Sequence, residues 1–120
     1  TLFRSKASII SNAEVYRQQF AIARGQNLRV DSPTIIGAQA ANELLDIEGI
    51  RASFVLTVYQ GRIYVSARSI DEVNVQIIME RLGGGGHMNA SGTQFDHTNM
   101  EEAVNCVKAQ IDRMIEEGDI

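Results

Sequence analysis

Two runs of alternating β-forming residues constrain the fold of this chain more than any other feature. Residues 53–59 and residues 62–68 each alternate apolar with polar or aromatic side chains, and only Gln60 and Gly61 separate them. Two such runs joined by two residues that end in glycine are typical of an antiparallel β-hairpin. The sequence therefore predicts a hairpin at the centre of the chain.

Helical patterns surround this hairpin. Ser32 and Pro33 are suited to start a helix that continues to Glu48 and stops at Gly49. Capping-box patterns predict two more helix starts, at Ser69 and at Thr98, and a long apolar stripe predicts a final helix. Residues 20–24 and 93–95 are strand candidates, and residues 8–19 are a short helix or a linker. The predicted class is α+β, a two-layer domain whose mixed sheet has a central antiparallel hairpin packed against helices.

Composition narrows the range of functions. The 120 residues suffice for one domain, and 44% hydrophobic with 22% charged residues is typical of a globular protein. A net charge of -4 argues against long nucleic acid held on a wide basic surface. The single cysteine, Cys106, forms no internal disulfide, which suits a reducing cytosol, and its helical context predicts a buried, inert thiol. Because the chain starts at Thr1 with no visible signal or membrane segment, we expect an excised part of a longer protein.

The glycine segment, residues 83–86, follows the third helical pattern and leads into His87 and Asn89. Four residues without side chains let a charged ligand approach the backbone, whose N–H groups can form an anion-binding nest. Residues after His87 can also start a short helix whose N-terminus favours an anion. The alternative is a flexible connector. Neither a Walker loop nor a dinucleotide fingerprint fits, because no Lys-Ser/Thr follows and no strand precedes the glycines.

Two polar side chains are candidates beside that segment. His87 can donate a hydrogen bond to a phosphate or stack on a base, and the alternative is that it caps its own loop. Arg68, on the same predicted strand face as Ser66 and Tyr64, can grip a phosphate through two nitrogens. Its alternative is a surface salt bridge to a nearby carboxylate, Asp71 or Glu72. The acidic residues form no recognisable catalytic or metal cluster, and zinc-ligand spacing is absent.

Three segments of the sequence resemble a known family. They are Arg68-Ser69, Asn74-Val75 and the Gly-Gly-Gly-Gly-His-Met-Asn-Ala-Ser-Gly segment at 83–92. The family is the C-terminal, DHH-associated domain of the DHH phosphoesterases, and the likeness extends over most of the chain. Residues 38–41, 49–55, 66–69 and 74–79 most resemble the membrane-anchored cyclic di-AMP phosphodiesterases (GdpP type) of Gram-positive bacteria.

The resemblance implies a division of labour. It assigns residues 20–120 to substrate binding and residues 1–19 to a linker or helix from a preceding catalytic DHH domain, which this chain lacks. Hydrolysis of cyclic di-AMP to linear pApA would use manganese held by that domain, so we expect no cofactor or metal here. The implied substrate-binding residues are Gly83, Gly84, Gly85, Gly86, His87, Asn89, Ser66 and Arg68. His87 would assist catalysis at most.

Alternatives remain open within and beyond the family. The chain resembles the same domain of nano-RNases and RecJ-type exonucleases, which act on short oligonucleotides, although Met88 stands where many relatives have lysine. A non-catalytic module that binds RNA or dimerises, as at the end of many alanyl-tRNA synthetases, is a third reading. The expected partners are cyclic di-AMP or a short oligonucleotide, the preceding DHH domain and a second copy of the full-length protein. The expected location is the cytoplasmic side of a membrane-anchored parent.

Overall fold

A computed structural model describes residues 2–120, which form four helices and six strands. In chain order these are α1 Leu2–Ser11, β1 Glu14–Tyr16, β2 Phe20–Gly25, α2 Pro33–Leu44, β3 Ala52–Tyr59, β4 Arg62–Ser69, α3 Val75–Arg81, β5 Gly85–His87, β6 Ala90–Phe95 and α4 Met100–Glu116. None of the helices in this described part is long and apolar enough to cross a membrane.

One six-stranded sheet organises the domain, in the order β1-β2-β3-β4-β6-β5. β2 and β3 are parallel and are connected through α2, whereas every other neighbouring pair is antiparallel. The predicted hairpin is β3–β4, and both of its turn residues have positive φ, 50° at Gln60 and 77° at Gly61. Such a turn matches the right-handed twist of the flanking strands. The predicted α+β class, the mixed sheet and the central hairpin are confirmed.

Helices cover both faces of this sheet. Alternate residues of β3 show the division, because Phe54 packs in a core with α3 and α4 while Val55 packs in a second core with α1 and α2. The sequence predicts two layers, the sheet and one layer of helices. The structure has a second layer of helices on the opposite face of the sheet. It also explains the near-continuous burial of β3, since a strand covered on both faces exposes neither set of its side chains.

The position of α2 determines which strands remain uncovered on its face of the sheet. A Cβ on Gly37 would lie 2.9 Å from a methyl carbon of Thr57, and the Ser53 hydroxyl donates to the carbonyl of Ala41 at 2.6 Å. α2 therefore lies close to β3 and β4. Beyond it on the same face, Gln94 of β6 and His87 of β5 are exposed. This uncovered edge of the sheet is where the candidate site lies.

Two predicted helix starts are wrong. Ser69 is not a cap but the last residue of β4, paired with Ala52, and its hydroxyl donates to the Val73 carbonyl at 2.6 Å. The helix starts later because Asn74 is the cap that accepts the Ile77 N–H.

The last helix is shifted by one residue, because the Asn99 side chain accepts the Glu102 N–H at 2.9 Å and takes the role predicted for Thr98. The start predicted at Ser32–Pro33 is confirmed, although the Ser32 side chain makes no capping hydrogen bond and α2 ends at Leu44, earlier than expected.

The N-terminal segment agrees with expectation only in part, since a helix is present but Glu14–Tyr16 is a strand, and Cys106 differs from expectation. Residues 2–11 form α1, whose Ile9 is buried against the body of the domain, and β1 pairs with β2 at the far edge of the sheet. Cys106 is exposed, so the prediction of a buried thiol is wrong. The buried stripe of α4 runs through Ala103, Val104 and Val107, and Cys106 lies on the flank of that stripe.

Candidate functional site

Strand pairing brings four of the eight predicted site residues onto one face of the sheet. Arg68 on β4 pairs with Ala90 on β6, which in turn pairs with His87 on β5. Two residues along the strands, Ser66 on β4 pairs with Gly92 on β6, which pairs with Gly85 on β5. Because side chains alternate along strands, these two rows face the same side of the sheet, the side that carries α2. Arg68, Ser66, Gly85 and His87 therefore form one surface.

Three of the four glycines are required by the fold. Gly83 has φ of 89° and follows the last turn of α3, where the N–H groups of Gly83 and Gly84 donate to the carbonyls of Glu80 and Met79. This is the Schellman arrangement in which glycine ends a helix, and it confirms the predicted cap. A Cβ on Gly84 would overlap the Gly92 carbonyl oxygen and the Thr93 side chain.

Gly86 is constrained in two ways. Its φ of 142° lies where residues with side chains rarely occur, and a Cβ would lie 2.6 Å from Cα of Ser91. The backbones of β5 and β6 are therefore packed too closely to admit a side chain at this position.

Gly85 is the exception. It has no positive φ, and a Cβ at this position would meet nothing within 4 Å. Neither backbone conformation nor packing among the described residues requires glycine here. Glycine at this position leaves the space above its backbone open, next to Gly92 and Ser66 in the same row. Gly85 also lies on the edge strand β5, whose outer backbone groups have no strand partner. Those are the conditions under which an anion can approach the backbone.

Asn89 holds the β5–β6 turn in place. Its side-chain nitrogen donates to the Ser69 hydroxyl at 2.9 Å and to the carbonyls of Asp71 and Val73 at 3.1 and 3.3 Å. Its own carbonyl accepts the Ser69 N–H at 3.0 Å. The two-residue turn lacks the positive φ values that normally join twisted strands, so these outside hydrogen bonds fix its position. The amide of Asn89 thus positions the hairpin that carries His87.

Arg68 is a half-buried cation with no acidic partner. Within residues 2–120, no carboxylate forms an ion pair with it, and Glu72 pairs with Arg51 instead. One guanidinium nitrogen of Arg68 donates to the carbonyl of Ala67 at 2.8 Å and lies 3.5 Å from that of Ser91. Burial lowers the pKa of this guanidinium from its ordinary value. The salt bridge considered as an alternative is absent, and the desolvated charge favours an anion.

The His87 ring is exposed at the edge of the sheet, and it makes no hydrogen bond or ion pair with the residues that the structure describes. It therefore does not cap its own loop. The helix expected after His87 is absent as well, because Ala90–Phe95 forms strand β6. The chain there is extended because it pairs with β4 on one side and β5 on the other. The glycine segment is accordingly a strand edge and not the flexible connector of the alternative reading.

A groove of about 530 Å³ adjoins this surface, between the start of α2 and the glycine segment. Its walls include Thr34, Tyr64, Ser66, Gly84, Gly92 and Gln94. The sequence pattern had placed Tyr64 on the face of Arg68 but assigned no role to it, and it missed Thr34 and Gln94. Gln94 could be found only through its pairing with Tyr64, which no local pattern reveals.

No group of three or more His, Cys, Asp or Glu side chains in the described part of the chain is arranged to hold a metal ion. The residues present therefore do not fit a manganese site.

Comparison with known proteins identifies the family. The sequence profile of the DHHA1 domain matches residues 20–113. The chain belongs to the DHHA1 domain family. This DHHA1 chain is 39% identical over 113 residues to the cyclic-di-AMP phosphodiesterase PdeA of Listeria monocytogenes, covering 93% of the chain and 17% of PdeA.

Two further proteins are similar. Identity is again 39%, over 114 residues, with the cyclic-di-AMP phosphodiesterase GdpP of Geobacillus thermodenitrificans, covering 94% of the chain and 17% of that protein. The chain thus spans about one sixth of these relatives. An exopolyphosphatase-related protein from Bacteroides fragilis superimposes with a TM-score of 0.82 at 25% identity, covering 94% of this chain and 34% of that one.

The two glycines Gly84 and Gly85 should respond differently to alanine. We expect Gly84→Ala to lower the free energy of unfolding by at least about 2 kcal/mol, because its Cβ overlaps backbone atoms of β6. Gly85→Ala should change it by less than about 1 kcal/mol. Denaturant unfolding of both variants measures the difference. Equal destabilisation would contradict the assignment of Gly85 as the glycine that the fold does not need.

Asn89→Ala should destabilise the domain by about 1–3 kcal/mol, because it leaves the carbonyls of Asp71 and Val73 without this donor. Hydrogen exchange should show the loss as faster exchange across β5 and β6. Asn105→Ala, an exposed asparagine on α4, is the control and should have little effect. Unchanged exchange in Asn89→Ala would show that the turn is held by other contacts.

Proposed function

We propose that this chain is the substrate-binding domain of a manganese-dependent phosphodiesterase that hydrolyses cyclic di-AMP to linear pApA. The observation that carries the proposal is the row of Arg68 and His87 beside Gly85. On one surface it combines a cation and an imidazole, neither with an ion-pair partner among residues 2–120, and an open strand edge. The similarity to two proteins named cyclic-di-AMP phosphodiesterases supports cyclic di-AMP as the ligand.

Each residue has a role that its position supports. Arg68 neutralises a phosphate oxygen, since a desolvated guanidinium gains more from an anion than an exposed one does. His87 donates a hydrogen bond to the same phosphate from the edge strand β5, which is separated from β4 by β6. Ser66 offers a hydroxyl on the same face, two residues before Arg68 on β4, and Gly85 leaves room for the ligand. Together these groups bind and orient the phosphodiester.

In this proposal, another domain of the full-length protein catalyses the hydrolysis of the phosphodiester. A preceding DHH domain would hold manganese and supply the activated water, because the described residues of this chain have no suitable ligand cluster. The substrate would then lie in a cleft between the two domains. By the resemblance described above, we place the parent protein at the membrane with this domain on the cytoplasmic side.

Binding to cyclic di-AMP and to a short RNA distinguishes this proposal from its alternatives. Calorimetry on the full-length protein, with the metal removed to prevent hydrolysis, should show a higher affinity for cyclic di-AMP than for a five-nucleotide RNA. Tighter RNA binding with only a small salt dependence would favour a nano-RNase. RNA binding that weakens steeply with salt, and none to cyclic di-AMP, would favour a non-catalytic RNA-binding module.

Arg68→Ala in the full-length enzyme should raise the KM for cyclic di-AMP by about tenfold or more, because a charge-assisted hydrogen bond to the phosphate is lost. Arg62→Ala is the matched control. Arg62 lies on the same strand and face but pairs with Asp96 at 3.2 Å, so its loss should leave KM unchanged. Steady-state kinetics test both variants, and equal KM values for Arg68→Ala and the parent enzyme would contradict the phosphate contact.

His87→Ala should lower kcat by at least about tenfold while the manganese content stays the same, because the ring contacts substrate and not metal. His97→Asn serves as control, since His97 lies at a turn with φ of 58° that asparagine tolerates. Metal analysis and hydrolysis rates on both variants provide the test. Loss of manganese from His87→Ala would contradict the division of labour.

A further inference from the structure

Tyr64 is an aromatic side chain of the groove that the phosphate contacts leave unused. It precedes Arg68 by four residues on β4 and lies on the same face. Its ring packs at a tilt against Tyr59, with centroids 6.3 Å apart, so one side of it is supported by protein. The Tyr64 hydroxyl makes no hydrogen bond within the described residues. A supported ring in an open groove is a platform on which a planar ligand can stack.

Gln94 is the strand partner of Tyr64 on β6, lies beside it on the same face and lines the same groove. Its side chain is exposed, and in the part of the chain that the structure describes its amide has no hydrogen-bond partner. An amide offers a donor and an acceptor side by side, which matches the amino group and ring nitrogen of adenine. The groove therefore combines a stacking surface with a group that can read the edge of a base.

We propose that this groove binds a nucleobase of the substrate, with Tyr64 stacking on the base and Gln94 pairing with the edge of an adenine. The assignment rests on the proposed function, since it places the base relative to the phosphate at Arg68. Four residues of strand separate Tyr64 from Arg68, about 13 Å at 3.3–3.4 Å per residue. One guanidinium nitrogen of Arg68 lies 3.5 Å from the carbonyl of Ser91, whose row is one residue nearer to Tyr64 than that of Arg68. Gly92 and Ser66 lie between the two subsites.

The size of the groove agrees with this occupant. Its 530 Å³ lies within the range of clefts that hold small organic ligands, and a nucleoside fits that range. Stacking tolerates any base, so Tyr64 supplies affinity, whereas the paired donor and acceptor of Gln94 supply the preference for adenine. The two side chains thus have separable effects on binding.

Binding of two ligands to the metal-free full-length protein tests the platform. Tyr64→Leu should weaken cyclic di-AMP about tenfold, while Tyr64→Phe, which keeps the ring, should bind like the parent protein. Ribose 5-phosphate carries a phosphate but no base, and its binding, followed by nuclear magnetic resonance, should be the same in all three proteins. Thermal unfolding verifies that Tyr64→Leu is folded.

The outcomes separate this inference from the function on which it rests. If the full-length protein without substitutions does not bind cyclic di-AMP, both proposals are overturned. Equal affinity of Tyr64→Leu and the parent protein for cyclic di-AMP overturns the base platform alone. Weaker ribose 5-phosphate binding by a folded Tyr64→Leu would also overturn it, because the effect would then come from the phosphate site.

Base selectivity tests Gln94. The ratio of affinities for cyclic di-AMP over cyclic di-GMP should fall about tenfold in Gln94→Ala. Gln39→Ala removes an exposed glutamine of α2 outside the groove and should leave the ratio unchanged. A ratio that is the same in Gln94→Ala and the parent protein would overturn the role of Gln94.

Discussion

Backbone contact between the glycine segment and β6 sets the position of everything at the candidate site. A Cβ on Gly84 would lie 2.7 Å from Cα of Thr93, and one on Gly92 would lie 2.7 Å from the Val65 carbonyl oxygen. β4, β6 and β5 are therefore packed backbone to backbone along this edge. Because that packing fixes the strand register, it also fixes which residue of β5 lies in the row of Arg68. His87 reaches this row through glycine contacts that no larger residue could replace.

Three of the four glycines in this segment have a structural cause. Gly83 ends a helix, and Gly84 and Gly86 allow close packing, so the fold accounts for all three. Of these four glycines, only Gly85 combines open space for a Cβ with a backbone that has no positive φ. The four glycines therefore include one position that can accommodate a side chain, Gly85. The other three are held by the helix end or by close packing against β6. Asn89 likewise holds the turn by joining it to the loop after β4.

Local patterns predicted those parts of the fold whose cause is local. The β3–β4 hairpin follows from alternation and from Gln60 and Gly61, which accept the left-handed turn. The buried stripe of α4 follows from helical spacing. The common face of Ser66 and Arg68 follows from alternation along one strand. Each of these depends on residues a few positions apart.

Features that depend on distant pairing could not be predicted in this way. Ser53 and Thr57 are polar, which favours an exposed face, yet both are buried under α2 and Ser53 bonds to it. Ser69 resembles a helix cap, but its pairing with Ala52 keeps it in a strand. The row that joins Arg68 to His87 needs the first half of β6 between them, whereas the sequence predicts only residues 93–95 of that strand, because the glycine-rich segment before them shows no alternation.

The central claim is that a phosphate of the substrate lies between Arg68 and the edge strand β5. A crystal structure of the metal-free full-length protein with cyclic di-AMP tests this directly. The account predicts one phosphate within hydrogen-bond distance of the Arg68 guanidinium and the His87 ring, above Gly85. A phosphate bound elsewhere, with this face of the sheet empty, would contradict it.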